Sequence, residues 1–83
     1  MKELSLYGRR GCHLCADMRA ALEEFRDELG FSLREVDIDA DPDLAARYGT
    51  LIPVLVVGSR EICHYHLDPT ALRRALESAG ETG

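Results

Sequence analysis

The stretch "YGRRGCHLCADM", residues 7–18, places Cys12 and Cys15 three positions apart, at a point where the hydrophobic pattern changes. Before it, apolar and polar residues alternate over residues 3–7, which predicts a short strand. After it, apolar residues recur at steps of three and four, which indicates an amphipathic helix. The residues of this stripe are Leu14, Met18, Leu22, Phe25 and Leu29. Two thiols at such a junction are compatible with a metal site, a static disulfide or a redox pair.

The length and the composition are those of a small globular protein. Its 83 residues fit one domain, residues 1–83, and 46% hydrophobic with 30% charged residues is typical of a folded chain. A net charge of −5 argues against a nucleic-acid partner. The longest uncharged apolar run, residues 50–58, is too short to span a membrane, and the N-terminus lacks a signal-peptide pattern. We therefore expect a cytoplasmic protein with no membrane partner, where structural disulfides are rare.

The rest of the chain predicts a β-α-β-α-β-β-α order. Gly30 is a candidate left-handed stop for the first helix, and residues 31–38 form a second strand. A short helix capped by Asp41 follows, and then a buried strand over residues 54–57. Residues 60–65 are a hairpin partner for that strand, and a last helix opens at Asp68-Pro69. The first β-α-β unit is long enough for a right-handed parallel crossover.

The position of the cysteine pair has chemical consequences. Cys12 is predicted at or just before the first helical turn, where free N–H groups and the helix dipole favour an anion. The thiolate is the nucleophilic form of cysteine, so we expect Cys12 to attack and a more buried Cys15 to resolve the mixed disulfide. Arg9 and Arg10 add positive charge, as does His13 when protonated. A strand before the pair and a helix after it favour a redox function.

A second feature is Pro53, which stands directly before the buried strand. Proline donates no ladder hydrogen bond, so its place there needs a reason. A cis Ile52–Pro53 bond is one explanation, and an ordinary trans proline at the start of a strand is the other. In a redox site, a cis bond leaves the backbone of Ile52 free to pair with an extended substrate.

Two segments, "LYGRRGCHLCADMRAALEEF" and "VDIDADPDLAARYGTLIPVLVV", are followed by a hairpin and a final helix. Together they resemble a small bacterial glutaredoxin-like protein of the thioredoxin superfamily. The resemblance implies an α/β thioredoxin-like fold, with a four-stranded mixed sheet of order 2-1-3-4 flanked by three helices. It also implies a thiol–disulfide oxidoreductase with Cys12 as nucleophile, Cys15 as resolving thiol and Pro53 in the cis form.

The resemblance bears on partners as well. Arg9 stands three residues before Cys12, where many glutaredoxins hold the glycyl carboxylate of glutathione with a basic residue. Those proteins carry a Gly-Gly pair after the fourth strand, whereas this chain has "CHYH" at residues 63–66, whose side chains are expected to obstruct glutathione. The electron donor is therefore glutathione or a thioredoxin reductase-type system, and no resident cofactor is expected. We expect a monomer that acts on a protein or small-molecule disulfide, with Arg9, His13, Ile52 and Pro53 at the substrate site.

Two alternatives remain open. The domain could bind zinc or an iron–sulfur cluster through Cys12, Cys15 and either Cys63 or His66. Strand alternation places Cys63 and His66 on opposite faces, so the preferred interpretation includes no metal. The domain could also be a thioredoxin-fold binding module without catalysis, although the intact Cys-x-x-Cys argues against this.

Overall fold

The computed structural model describes residues 2–81, and these form the predicted β-α-β-α-β-β-α order. The strands are β1 Lys2–Gly8, β2 Phe31–Asp37, β3 Val54–Val57 and β4 Arg60–His64. The helices are α1 His13–Leu29, α2 Pro42–Tyr48 and α3 Pro69–Glu81, with a short 3-10 turn at Ile38–Ala40. None of the helices within the described range is long and apolar enough to cross a membrane.

The four strands form one mixed sheet in the order β2-β1-β3-β4, which confirms the predicted topology. β1 runs parallel to β2, because α1 supplies the long crossover that parallel strands require. β3 runs antiparallel to β1, with Tyr7 opposite Val54, and β4 runs antiparallel to β3. The pairing of β3 with β4 shifts register between Leu55 and Val56, so Ile62 has no partner in β3.

The helix ends follow from short polar side chains and one glycine. Gly30 ends α1 in the left-handed conformation, at φ 68°, as its position in the sequence predicts. The carboxylate of Asp41 accepts a hydrogen bond from the N–H of Asp43 and so caps α2. The carboxylate of Asp68 accepts one from the N–H of Ala71 at the start of α3.

The main core lies on the sheet face covered by α1 and α3. Its buried members come from three strands and both helices; they are Leu4, Leu6, Met18, Leu22, Phe31, Leu55 and Leu72. Leu14 was predicted to join this stripe, but its side chain is 37% exposed. The difference arises because it lies in the first turn of α1, and the first helical residue to reach the core is Met18.

The opposite face of the sheet is covered by α2. Side chains alternate along β1, so Tyr7 points away from the face that carries Leu6. Its ring stacks on that of Tyr48 at the end of α2, with ring centroids 4.7 Å apart. The two faces of the sheet therefore both carry helices, as the resemblance implies.

Candidate active site

The two cysteines of the opening motif lie between β1 and α1 and form a disulfide bond, with Cα atoms 5.2 Å apart. Gly11 turns the chain between them and β1 at φ 77°, a conformation that glycine adopts at little cost. Cys12 is the N-cap of α1 in an extended conformation, and Cys15 lies one turn further on. This spacing places both side chains on the same side of the first turn, within reach of each other.

The first turn of α1 surrounds the Cys12 sulfur with positive potential. The backbone N–H of Cys15 donates a hydrogen bond to the Cys12 Sγ atom at 3.2 Å. The same end of the helix carries unpaired N–H groups and the positive end of the dipole, which favour a thiolate at Cys12 once the disulfide is reduced. Both cysteines are half-buried, whereas the sequence led us to expect Cys15 to be the more buried of the two.

Gly8 is a site residue that the sequence did not identify. An added Cβ on Gly8 would stand 2.8 Å from the Sγ atom and 3.3 Å from the Cβ atom of Cys15. Gly8 is not among the glycines with positive φ, so its need for glycine is steric rather than conformational. The only signal in the sequence is a glycine at the end of an alternating strand, four residues before the first cysteine.

The predicted proline feature lies beside the cysteine pair. Because Tyr7 pairs with Val54 in antiparallel register, the next residues along, Gly8 and Pro53, are neighbours across the two strands. Pro53 is buried, and the Ile52–Pro53 peptide bond is cis. Ile52 is half-buried, and its backbone N–H and C=O make no hydrogen bond within residues 2–81.

Tyr65 joins the site from the end of β4. Its backbone N–H donates to the carbonyl of Pro53 at 2.9 Å, and its hydroxyl donates to the carbonyl of Thr50 at 2.7 Å. The sequence singles out residues 63–66 as a replacement for Gly-Gly and as a source of metal ligands, and the structure shows that Tyr65 among them bonds to the segment before β3. The bond to Thr50 joins residues 15 positions apart, and no local pattern in the sequence predicts it or the bond to Pro53.

Arg9 lies toward the other side of the cysteine pair. Its guanidinium donates to the carboxylate of Asp39 at 3.0 Å, in the turn that follows β2. Together with Arg10 it lines a cavity of about 430 Å³ that the disulfide and the end of β2 also border. His13 begins α1 and is exposed. The four predicted binding residues thus divide into Ile52 and Pro53 beside β3, Arg9 toward β2, and His13 at the helix start.

The residues named for a metal site do not come together. Among the side chains of the described residues, no group of three or more His, Cys, Asp or Glu has an arrangement that could hold a metal ion. The His64 ring lies 3.0 Å from the carboxylate of Glu61. Burial raises the pKa of the Cys63 thiol, the nearby carboxylates of Asp68 and Glu61 raise it further, and a hydrogen bond from the Asp68 backbone opposes them. Cys63 is therefore favoured as a neutral thiol.

The sheet order, the Cys-x-x-Cys at the start of α1 and the proline beside it define a thioredoxin-like fold with a cysteine pair at disulfide distance. Among solved structures, the chain is similar to protein Ne2328 from Nitrosomonas europaea, with a TM-score of 0.83, 36% identity and 89% of each chain covered. It is also similar to protein XcR50 from X. campestris, with a TM-score of 0.68, 36% identity, and 90% of this chain and 96% of that one covered. The oxidised form of mitochondrial thioredoxin 3 from Saccharomyces cerevisiae shares the fold, with a TM-score of 0.64, 23% identity, and 93% of this chain and 77% of that one covered.

The chain belongs to the glutaredoxin-like domain family (DUF836), whose model matches residues 3–77. An uncharacterised protein of Mycobacterium tuberculosis is 32% identical to it over 76 residues, which cover 86% of this chain and 78% of the relative. An uncharacterised protein of Mycobacterium bovis matches to the same extent. The family assignment and the fold point to redox activity.

Proposed function

We propose that the protein is a thiol–disulfide oxidoreductase that works by a dithiol mechanism and serves cell redox homeostasis. The observation that carries the proposal is the Cys12–Cys15 disulfide at the N-terminus of α1, where the Cys12 sulfur accepts the N–H of Cys15. This arrangement supplies a nucleophile that is stabilised as a thiolate and a second thiol within reach of it.

The reaction transfers two electrons from the cysteine pair to a substrate disulfide. The Cys12 thiolate attacks one sulfur of the substrate, forms a mixed disulfide and releases the other substrate sulfur as a thiolate. The Cys15 thiolate then attacks the Cys12 sulfur, which releases the second substrate thiolate and leaves Cys12 and Cys15 oxidised. Both substrate thiolates take up protons. Two thiol groups of the electron donor reduce the pair again and end as a disulfide.

Protein disulfides are the substrates that the surroundings of the pair favour most. The unbonded backbone of Ile52, beside Pro53, can accept an extended peptide as a short added strand. Leu14 and Tyr65 are the two exposed large hydrophobic residues among those described, at 37% and 40%. One lies between the cysteines and the other contacts Pro53, so both can pack on the side chains of a bound peptide.

The electron donor is glutathione or a thioredoxin reductase-type system, and Arg9 is the residue that would bind a donor carboxylate. His13, exposed at the start of α1, would add positive charge beside Cys12 when protonated. We place the protein in the cytoplasm as a monomer, because a reducing compartment supplies the thiols that keep the pair cycling.

A redox titration against glutathione and dithiothreitol buffers, combined with reduction of insulin disulfides, tests the proposal. We expect reversible two-electron oxidation of the wild-type protein, and loss of insulin reduction after Cys12→Ser or after alkylation of Cys12. Cys63→Ala is the matched control, because it removes the third thiol and should leave the rate unchanged. An unchanged rate of insulin reduction after alkylation of Cys12 would overturn the proposal.

A further inference from the structure

Tyr65 has an unusual backbone conformation directly after β4. Its φ is 64°, and it is the only residue other than glycine with a positive φ among those described. The left-handed region costs a residue with a Cβ about 1–2 kcal/mol. A bulky residue keeps such a conformation only where the surrounding contacts fix it, and such positions cluster at functional sites.

Three hydrogen bonds hold Tyr65 in this conformation. The N–H of His66 donates to the carbonyl of His64 at 2.7 Å, which closes a three-residue turn around Tyr65. The N–H of Tyr65 donates to the Pro53 carbonyl at 2.9 Å, and its hydroxyl donates to the Thr50 carbonyl at 2.7 Å. Main chain and side chain of one residue therefore bind both ends of the segment 50–53.

The bonds of this segment all fall on the residues around Ile52. The N–H of Leu51 donates to the carbonyl of Tyr48 at 2.8 Å, which ties the segment to the end of α2. With the two bonds from Tyr65, the carbonyls of Thr50 and Pro53 and the N–H of Leu51 are all engaged. Ile52 is the residue of the segment whose backbone N–H and C=O both lack a partner within residues 2–81. The segment is fixed on both sides of Ile52, whose N–H and C=O are both open to a peptide backbone.

We infer that Tyr65 is a positioning residue that holds segment 50–53 in the conformation in which Ile52 pairs with the backbone of a protein substrate. This role rests on the proposed oxidoreductase function and deepens it. Ordering a loose segment at the moment of binding costs conformational entropy, and a segment ordered in advance avoids that cost. A small disulfide that reaches only the Cys12 sulfur gains nothing from the segment, so Tyr65 sets a preference for protein disulfides.

Tyr65→Phe tests this role because it removes the hydroxyl and keeps the ring. The variant should raise the KM for insulin about two- to tenfold, the loss expected from one neutral hydrogen bond, with kcat unchanged. Its kinetics with the small substrate bis(2-hydroxyethyl) disulfide should match the wild type. Tyr48→Phe is the matched control, because it removes a tyrosine hydroxyl that bonds to no described residue and keeps the ring stacked on Tyr7.

Two further measurements separate positioning from folding. Hydrogen exchange in Tyr65→Phe should be faster at the Leu51 amide and unchanged at the amides of β3. Tyr65→Gly removes the backbone strain together with the hydroxyl, so it should stay folded and show at least the same rise in KM for insulin.

The outcomes distinguish this role from the proposed function. Equal losses with insulin and with the small disulfide, or no change in either, would overturn the role of Tyr65 while the wild-type activity stands. Unchanged exchange at Leu51 would overturn it as well. A wild-type protein that reduces neither disulfide would overturn the oxidoreductase function, and the role of Tyr65 with it.

Discussion

The Sγ atom of Cys15 lies 2.8 Å from the point at which a Cβ on Gly8 would stand. The last residue of β1 thus leaves open the space that the second cysteine of the motif occupies. The same glycine lies opposite Asp37 in β2. It also lies beside Pro53, the residue before β3, because Tyr7 pairs with Val54. The side chain missing at Gly8 is part of what allows a disulfide to form above it.

Gly8→Ala should disfavour the disulfide. In the oxidised protein Cys15 is tied to Cys12 and must meet the new methyl group, whereas a free Cys15 thiol can rotate away from it. Overpacking of this kind costs about 1–3 kcal/mol. If that cost falls on the oxidised form, the reduction potential rises by about 20–60 mV, because 30 mV corresponds to about 1.4 kcal/mol for two electrons. Titration against glutathione buffers measures the shift.

Gly58→Ala is the control for the Gly8 variant. Gly58 has φ 61° and no atom within 4 Å of an added Cβ, so alanine there is strained without contacting the cysteines. It should lower the free energy of unfolding by about 1–2 kcal/mol and leave the reduction potential unchanged. Equal potentials in wild-type and Gly8→Ala proteins would mean that the Gly8 contact does not govern the disulfide.

Cys15→Ser should trap the protein on its substrate. The variant keeps the Cys12 nucleophile and lacks the thiol that would release it, so a mixed disulfide accumulates. Mass spectrometry of the variant after incubation with a protein disulfide should show the added mass of the substrate, removable by dithiothreitol. Cys12→Ser, which keeps Cys15, is the matched control. Capture by Cys12→Ser and not by Cys15→Ser would reverse the assigned roles.

Cys63 should make the protein less stable at alkaline pH. Burial raises the pKa of its thiol above that of the unfolded chain, so the folded state holds the proton more tightly. Its contribution to stability is complete below the unfolded pKa and is lost as pH rises through the folded pKa. Urea unfolding of the reduced protein from pH 7 to pH 10 should show a steeper loss of stability in the wild type than in Cys63→Ala. Parallel curves would contradict the prediction.

Arg9 and Asp39 provide a test of how the electron donor binds. Asp39 competes for the guanidinium of Arg9, and their exposed ion pair adds at most about 1 kcal/mol to stability. If Arg9 binds a carboxylate of glutathione, Arg9→Ala should raise the KM for glutathione and Asp39→Asn should lower it. Steady-state kinetics with glutathione as reductant, at constant ionic strength, provide the measurement. A KM for glutathione equal to the wild-type value in both variants would show that Arg9 does not bind the donor.

The sequence was sufficient where a feature depends on local periodicity or on a local special residue. Steps of three and four placed α1, a β-branched run placed β3, and Gly30 ended α1 where expected. The cysteine spacing and Pro53 come from distant parts of the chain, and the sheet order brings them to the same end. Their meeting could be anticipated because β1 and β3 are neighbours in the fold that the resemblance implies.

The sequence was insufficient where a contact depends on distant residues. The contact of Gly8 with Cys15 depends on the packing of α1 against the end of β1. The bonds from Tyr65 depend on how β4 ends beside the residues before β3. Arg9 reaches Asp39, 30 positions away, across the turn after β2. None of these leaves a periodic pattern, so propensity and spacing could not indicate them.

The shifted register between β3 and β4 bears on how the molecule avoids unwanted partners. β2 and β4 are the two edges of the sheet, and an open edge invites any extended chain to add a strand, including a second copy of the same protein. The bulge at the unpaired Ile62 makes the β4 edge irregular. Charged residues on β2 disfavour strand addition at the other edge. Both features discourage aggregation through the edges. Under the proposed function, a substrate polypeptide would pair with the open backbone of Ile52 instead of adding to an edge strand.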